Sequence, residues 1–182
     1  MLMKKIKKNQ NGFSLVELLA VVGIGGALIA GALLLVNNVN AKKDIKQHSE
    51  NISVIYTNMQ NLFSDESVDD NMTNLIVAGI FPSSLNINDA KTVVKTSGGG
   101  TVTIEASGAD GYYLLYPKIK ASACLEVLKN QKRIGWDKFG AKAGESISTT
   151  DASTDLSSAK VSNFATACNT DEDWISLAFL VE

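Results

Sequence analysis

The stretch that decides the fold is GFSLVE, residues 12–17, which joins a short basic head to a long apolar run. The head carries four lysines, and the run from Phe13 to Val36 is 24 residues long with Glu17 as its only charged residue. A helix of that length measures about 36 Å, which is enough to cross a hydrocarbon core of about 30 Å. A carboxylate at that depth costs about 2.5–3.5 kcal/mol by insertion scales, so Glu17 requires a partner or a function.

Two common membrane signals fit this N-terminus less well. The lysines would hold the N-terminus in the cytoplasm and direct the rest of the chain outward. An ordinary secretory signal has an apolar core of about 7–15 residues, with small residues after it at the cleavage point. Here Gly12 precedes the apolar run, and the run is longer. A plain single-span anchor explains the lysines and the apolar length, but it gives no reason for Glu17.

These residues resemble the signature of type IV prepilins, which is a basic leader ending in glycine, then phenylalanine, then glutamate as the fifth residue of the mature chain. The resemblance implies that residues 1–12 are a leader and that prepilin peptidase cuts between Gly12 and Phe13. It implies that the new N-terminus on Phe13 is methylated. It also implies that the mature chain is a subunit of an extracellular filament.

The resemblance gives Glu17 a role in assembly. In the filament, the amine of Phe13 in one subunit would lie near Glu17 of a neighbour. Two unit charges about 4 Å apart attract by about 4 kcal/mol at an effective dielectric constant of 20. Removing one partner of a buried pair costs more than the pair itself contributes. Such a pair would therefore select one axial register for each incoming subunit.

Size and charge set further bounds on the mature chain. About 145 residues follow the apolar run, which is a usual size for one domain. The net charge of the 182 residues is −2, and the leader holds four lysines and no acid, so the mature chain carries −6. This negative charge disfavours non-specific binding of nucleic acid by the isolated subunit.

Two cysteines, Cys124 and Cys168, lie in the part predicted to be exported. An even pair in an oxidising compartment predicts a disulfide, although two buried thiols are the alternative. The bridge would contribute about 4 kcal/mol by closing a long loop. With two cysteines and one histidine at no ligand-like spacing, we predict no metal site. The acids of residues 171–173 could bind calcium, but a solvated turn is the simpler interpretation.

Apolar periodicity predicts that the helix beginning at Phe13 continues to about Phe63. From Ile45 the apolar residues recur with gaps of seven, four, three and four, while polar residues such as Asn51 fill other faces. Turn residues and alternation predict the remaining elements. In chain order these are a short helix over 72–78, a strand over 91–94, a hairpin of 101–106 and 112–116 ended by Pro117, a helix over 122–132 capped by Ser122, a strand over 135–139, a loop over 140–163 with at most a short helical turn, and a central strand over 174–181.

This order of elements resembles the class b type IV pilins, which include the toxin-coregulated, bundle-forming and plasmid thin-pilus subunits. The matching pieces are ACLEVL at residues 123–128 and the segment 168–177. The short leader and Phe13 are instead typical of class a, whereas Leu34 stands where many class a pilins carry a proline. The resemblance implies an α+β fold in which a long N-terminal α-helix packs on an antiparallel β-sheet head. It also implies a disulfide-bounded C-terminal region.

The resemblance divides the chain into a cleaved leader at 1–12, a transmembrane and filament-core part of the helix at 13–36, and a head at 37–182. The implied partners are other copies of the chain in a helical homopolymer, prepilin peptidase, the inner-membrane assembly machinery, the inner membrane before assembly, and a host or recipient cell surface. The precursor would lie in the inner membrane of a Gram-negative bacterium with its head in the periplasm. The mature chain would form an extracellular pilus for adhesion, aggregation or conjugative mating contact.

Catalytic residues are not suggested by any pattern in the chain, so we predict a structural protein without cofactors rather than an enzyme. The only histidine, His48, falls on the predicted helix, where a solvent-facing or interface position is expected. One alternative is a pseudopilin of a type II secretion system, which a calcium site at 171–173 would favour and the disulfide loop disfavours. Another is a membrane-anchored periplasmic enzyme or binding domain, which retention of residues 1–12 would favour.

Overall fold

The computed structural model describes residues 15–63, 67–108 and 111–182, without the side chains of residues 30–38. Contacts divide the chain into two units, Met1–Asn40 and Ala41–Glu182. The helices are α1 (Leu15–Leu62), α2 (Met72–Val77), α3 (Ala121–Gln131) and α4 (Val161–Ala167), with a short 3-10 helix at Thr149–Asp151. The strands are β1 (Asn86–Ile87), β2 (Val94–Lys95), β3 (Thr101–Ser107), β4 (Gly111–Lys120), β5 (Lys138–Ala143), β6 (Thr154–Asp155) and β7 (Trp174–Val181).

The long helix predicted from the apolar periodicity is present as α1, which is continuous from Leu15 to Leu62. No proline interrupts it, and many of its residues are strong helix formers. In the second unit its fully buried residues include Ile52, Ile55 and Met59. Their spacing of three and four places them on one helix face, which packs in the main apolar core. The predicted first residue, Phe13, lies outside the described residues.

The antiparallel sheet of the second unit has the strand order β1-β2-β3-β4-β7-β5-β6 among the described residues. Strand β7 pairs with β4 on one side and β5 on the other, and residues 175–181 are buried. The predicted central position of residues 174–181 is therefore confirmed. A strand that is apolar on both sides requires cover on both faces of the sheet.

Each face of the sheet carries its own apolar cluster. Leu177 and Phe179 of β7 join the main core together with Ile55 of α1. Ala178 and Leu180 point to the opposite face and join a smaller cluster that includes Ala152. The second half of α1 thus covers one face, and the segment around Ala152 covers the other.

Strand β4 does not end at Pro117, as the sequence predicted, but continues to Lys120. A bulge between Tyr116 and Ile119 shifts its register against β7. Proline has no N–H to donate to the ladder, so a strand can carry it only at an edge or a bulge. The next residue, Lys118, has a φ of 59°, and its N–H donates to Ser176 Oγ at 3.2 Å. The bulge thus satisfies the backbone, and the strand resumes beyond it.

The segment predicted as a long loop is more ordered than its composition indicated. Strand β5 begins at Lys138 rather than 135, and the predicted loop contains the end of β5, the 3-10 helix, β6 and the start of α4. Gly140 allows this packing, because a Cβ at that position would lie 1.9 Å from the carbonyl oxygen of Asp151. The close approach of two backbones adds to the burial of the few apolar residues in the segment, such as Leu156 and Ala159.

Two other predicted boundaries are wrong for similar reasons. Helix α3 begins at Ala121, because the Ala121 N–H donates to the carbonyl of Asp173 at 3.0 Å, so Ser122 lies in its first turn and is not its cap. Strand β2 begins where the predicted strand ended, and its partner β1 was not predicted. Asn88 fixes the turn between them by accepting from the backbone N–H groups of Thr92 and Val93, each at 2.8 Å.

Candidate functional site

The described part of the first unit presents an apolar helical surface over residues 15–29. Leu15 is 75 % exposed and Ile29 is 64 % exposed, and Glu17 lies in the first turn of the helix. Within the part of the chain that the structure describes, we find no helix whose length and hydrophobicity would let it cross a membrane. Gly12 and Phe13 lie outside the described residues, so leader cleavage and methylation stay predictions.

The predicted disulfide is present in the second unit. Cys124 and Cys168 are bonded, with their Cα atoms 5.7 Å apart and a sequence separation of 44. Cys124 is buried in α3, and Cys168 follows the last residue of α4. The bridge therefore fastens α4 to α3 and closes the region that contains β5 and β6. Chain-entropy arguments give such a loop a stabilisation of about 4 kcal/mol.

A cluster of polar side chains, buried at its centre and exposed at its edge, lies between α1, β4 and the turns at residues 84 and 97. We call it the polar seam, and its members are His48, Asn51, Ser84, Ser97 and Tyr116. His48 Nδ1 lies 3.1 Å from the Tyr116 hydroxyl, and Asn51 Nδ2 donates to the same hydroxyl at 3.2 Å. The Ser84 hydroxyl donates to Asn51 Oδ1, and His48 Nε2 lies 3.5 Å from Ser97 Oγ.

Two sequence predictions about the polar seam are wrong. His48 is 4 % exposed, so it does not occupy the solvent-facing or interface position expected of it, and Asn51, which was predicted on a polar face of the helix, is 3 % exposed. Each polar group finds a hydrogen-bond partner, which offsets the cost of its burial. The partners come from other elements, and the helical pattern alone cannot supply them. The one available signal was the position of His48, four residues before the buried Ile52 on the same helix face.

Burial also sets the protonation states in the polar seam. It lowers the pKa of His48 from the ordinary value of 6.5, with Asp44 acting in the opposite direction and Lys120 adding to the decrease. It raises the pKa of Tyr116 to about 12, which the hydrogen bond from Asn51 partly opposes. At neutral pH the imidazole is therefore uncharged and the phenol keeps its proton.

A second set of polar contacts joins α3 to α1. The Gln131 side chain is fully buried, and its Nε2 donates to the Ser49 carbonyl at 2.9 Å. Its Oε1 accepts from Trp136 Nε1 at 3.2 Å. Asn130 Nδ2 donates to Ser49 Oγ at 3.0 Å. These bonds fix the helix that carries Cys124 against the second half of α1.

The surface of the second unit carries a cleft beside the long helix. A cleft of about 530 Å³ lies between α1 and α3 and is lined in part by Ile45, Glu50 and Glu126. Glu50 pairs with Lys46 at 3.5 Å, and Glu126 pairs with Lys129 at 2.6 Å. Across residues 15–63, 67–108 and 111–182, no three acids, histidines or cysteines are grouped to hold a metal ion.

Two family models match the chain. The one described as PilS N terminal matches residues 42–179, and the one described as prokaryotic N-terminal methylation motif matches residues 7–33. The first covers nearly all of the second unit, including the polar seam and the disulfide. The second covers GFSLVE and most of the apolar run. No curated protein matches the chain in sequence.

Several solved structures align with the chain at low sequence identity. The crystal structure of the type IV b pilin from Salmonella typhi aligns with a TM-score of 0.54 and 15 % identity, covering 76 % of this chain and 97 % of that chain. TcpA, a type IV pilin from Vibrio cholerae El Tor biotype, gives a TM-score of 0.48 at 11 % identity and covers 77 % and 99 %. The NMR structure of the type IVb pilin PilS from Salmonella typhi gives 0.45 at 16 % and covers 72 % and 92 %.

The fold and the family match agree. A long N-terminal helix, an antiparallel sheet and a disulfide in the C-terminal region are present in this chain, as the resemblance to class b pilins implied. The fold aligns with that of the type IV b pilin of Salmonella typhi. The methylation motif on the same chain is the signature expected of a prepilin. The chain belongs to the PilS N-terminal family and is a type IV pilin most like those of class b.

Proposed function

We propose that this pilin is made as a precursor, loses residues 1–12 and polymerises into a type IV pilus. The observation that carries the proposal is the presence on one chain of the methylation motif over residues 7–33 and the PilS match over residues 42–179. The methylation motif accounts for processing and assembly, and the PilS match accounts for the head. Neither match describes an enzyme family.

Processing follows from the motif. Prepilin peptidase cuts between Gly12 and Phe13, and the amine of Phe13 is methylated. Residues 13–36 then form the transmembrane part of the helix, and residues 37–182 form the head in the periplasm of a Gram-negative bacterium. The inner-membrane assembly machinery moves this part of the helix from the bilayer into the filament core.

The exposed apolar side chains of the first unit support this transfer. Residues such as Leu15, Val22 and Leu28 are 75 %, 65 % and 69 % exposed, so their apolar area is available for burial. Burial of apolar area contributes about 25 cal/mol per Å². A bilayer before assembly and neighbouring helices after assembly both provide that burial.

Glu17 selects the register of the growing filament in this proposal. Its carboxylate attracts the amine of Phe13 in a neighbouring subunit, in the low-dielectric core where the pair is strongest. Because a buried charge without its partner costs about 3–5 kcal/mol, a subunit in the wrong register is rejected.

The test compares Glu17→Ala with Glu50→Ala. Glu50 is an exposed acid on the same helix, so its removal controls for loss of a negative charge. We expect Glu17→Ala to be inserted, cleaved and methylated, but to give about a hundredfold fewer filaments by electron microscopy. We expect Glu50→Ala to give normal numbers. Mass spectrometry of the mature N-terminus reports processing in both variants.

Two results would contradict parts of this proposal separately. Abundant normal filaments from Glu17→Ala would refute the charge pairing but leave the pilin function intact. An intact Met1 in the mature wild-type protein would refute processing, and would leave a membrane-anchored domain as the better interpretation.

We assign the contact made by the filament to the region of residues 140–170, which serves adhesion, aggregation or mating contact with a host or recipient cell. Val161 supports this assignment, because it is an apolar residue 57 % exposed at the start of α4. We expect Val161→Ser to reduce bundling or cell attachment at unchanged filament number. Val77→Ser, at a residue 68 % exposed outside this region, is the matched control. Equal effects of the two variants would refute the assignment.

A further inference from the structure

His48 has no role in the proposed function, yet it occupies a position where three elements meet. It is the only histidine of the chain and is buried in the polar seam. Its ring contacts Tyr116 of β4 edge-on, with 5.7 Å between ring centroids, and its other nitrogen faces Ser97 in the turn between β2 and β3. A change in its protonation would therefore act on α1, β4 and this turn together.

The hydrogen bonds of the polar seam determine which nitrogen carries the proton. The Ser84 hydroxyl donates to Asn51 Oδ1, so the Asn51 amide nitrogen is left to donate to the Tyr116 hydroxyl. That hydroxyl already accepts from Asn51, and the other polar atom within reach of it is His48 Nδ1 at 3.1 Å. Tyr116 thus donates to Nδ1, and a neutral ring has its proton on Nε2, towards Ser97.

Protonation would reverse the bond between His48 and Tyr116. An imidazolium donates from both nitrogens, so Nδ1 would present a proton to the proton of the Tyr116 hydroxyl. Tyr116 would then have to accept from both His48 and Asn51, and its own proton would be left without an acceptor in a buried site. A buried polar group without a partner is strongly disfavoured.

The charged groups that face His48 do not compensate for this loss. Asp44 lies one turn earlier on α1, and Lys120 comes from β4. Their charged ends are 3.5 Å apart, so the carboxylate that could stabilise an imidazolium is shared with a cation. Tyr116 is the titratable residue of β4 that contacts the His48 ring directly. The turn at residues 96–100 consists of threonine, serine and three glycines, none of which titrates.

We propose that His48 is an acid-sensitive latch, which holds α1 to β4 and to the turn at residues 96–100 while its ring is neutral and releases them when it is protonated. The turn is held by hydrogen bonds between its own residues. The Thr96 N–H donates to the Gly100 carbonyl at 2.9 Å, and the Gly100 N–H donates to Thr96 Oγ1 at 3.2 Å. Ser97 is the residue of this turn that contacts the ring.

The direction of the pH effect follows from linkage. Burial places the pKa of His48 in the folded head below 6.5, so well above pH 6.5 neither the folded nor the released form binds the proton and the latch is closed. As the pH falls from 6.5 towards the folded pKa, the released form binds the proton first. The equilibrium then shifts towards release by up to about tenfold per pH unit.

The first experiment is a nuclear magnetic resonance titration of the full chain in detergent micelles. A single histidine gives a single Cε1–H signal, so the assignment requires no mutant. We expect a midpoint below 6.5 and, at pH 7, nitrogen shifts of a ring protonated on Nε2. A midpoint at or above 6.5, or a proton on Nδ1 at pH 7, would overturn the proposal.

The second experiment follows release through amide hydrogen exchange of Thr96, Gly100 and residues 44–52, corrected for the intrinsic effect of pH. We expect protection in the wild type to fall by up to about tenfold per pH unit below 6.5, and we expect no such fall in His48→Gln. An equal fall in both proteins would overturn the proposal.

Tyr116→Phe keeps the histidine and removes the hydroxyl that donates to Nδ1, so it tests the latch even if His48→Gln does not fold. We expect the histidine midpoint to move up, because the neutral ring loses its donor. Tyr113→Phe is the matched control, since Tyr113 lies three residues earlier on the same strand and belongs to the opposite apolar cluster. An unchanged midpoint in Tyr116→Phe, or equal shifts in both variants, would overturn the proposal.

Discussion

The two parts of α1 expose their apolar side chains to opposite extents. Ile24 in the first unit is 65 % exposed, whereas Ile55 in the second unit is fully buried. Residues 18–29 are uncharged and mostly apolar on every side, whereas residues 45–59 carry one apolar stripe between polar faces. The comparison teaches that helix formation and helix burial are separate properties. Propensity and length make a helix of both parts, but the pattern of side chains decides what each part can pack against.

The striped part of α1, residues 45–59, packs in the core of the head. The largest expected effect tests how far the stability of that head depends on the disulfide between Cys124 and Cys168. We expect Cys124→Ala combined with Cys168→Ala to lower the free energy of unfolding of the head by about 4 kcal/mol, because the bridge closes a long loop. Denaturant unfolding followed by tryptophan fluorescence measures the change. Hydrogen exchange of residues 15–29 is the control and should not change. A loss of less than about 1 kcal/mol would show that the native contacts alone hold α3 and α4 together.

The next effect compares one apolar residue from each part. We expect Ile55→Ala to lower the free energy of unfolding of the head by about 2–5 kcal/mol, because it leaves a cavity in the main core. Leu19→Ala removes a residue that is 64 % exposed and should change this quantity by less than about 0.5 kcal/mol. Urea unfolding of both variants measures the difference. Equal losses would contradict the division of α1 into two kinds of surface.

A smaller effect concerns the polar contacts of the striped part. We expect Gln131→Ala to cost about 1–3 kcal/mol, because the buried Trp136 Nε1 loses its acceptor and the Ser49 carbonyl loses one of its donors. The emission of Trp136 should shift as its surroundings change. Asn130→Ala is the control, since Asn130 is exposed and should cost less. A larger loss from Asn130→Ala would mean that the exposed bond, not the buried one, fixes α3 to α1.

The smallest effect is expected at the exposed ion pair of the striped part. Glu50→Ala removes a pair with Lys46 whose two side chains are 63 % and 74 % exposed. We expect a change in unfolding free energy below about 0.5 kcal/mol that vanishes at high salt. A loss that persists in high salt would indicate that Glu50 stabilises the cleft between α1 and α3 by packing.

The elements that sequence alone predicts are those whose signal is local. The apolar stripe beginning at Ile45 predicts the second half of α1, and the apolar run over residues 174–181 predicts a central strand, because both patterns report burial directly. The pair Cys124 and Cys168 predicts the disulfide because export leaves few other uses for two cysteines. GFSLVE predicts the family, although the fates of Gly12, Phe13 and Glu17 stay predictions.

The elements that sequence misplaces depend on partners from elsewhere in the chain. Pro117 ends a strand by local rules, yet Ser176 of β7 accepts the next N–H and lets β4 continue. The region 140–163 is poor in apolar residues, yet it is ordered, because Gly140 leaves room for the backbone of Asp151 to approach closely. His48 is a polar residue, yet it is buried, because its ring forms a hydrogen bond with Tyr116 in the interior. In each case the deciding contact spans at least nine residues, beyond the reach of periodicity.

The position of β7 has a consequence for how the head folds. It follows every other strand of the described sheet in sequence, yet it lies between β4 and β5 and pairs with both. Until residues 174–181 arrive, β4 and β5 each have an open edge where β7 belongs, and open edges invite pairing with other chains. Pairings between residues so distant along the chain form slowly because loop closure comes first. The head therefore completes its sheet only after its last strand has been delivered, which makes the interval before delivery the one in which the chain most needs protection from aggregation.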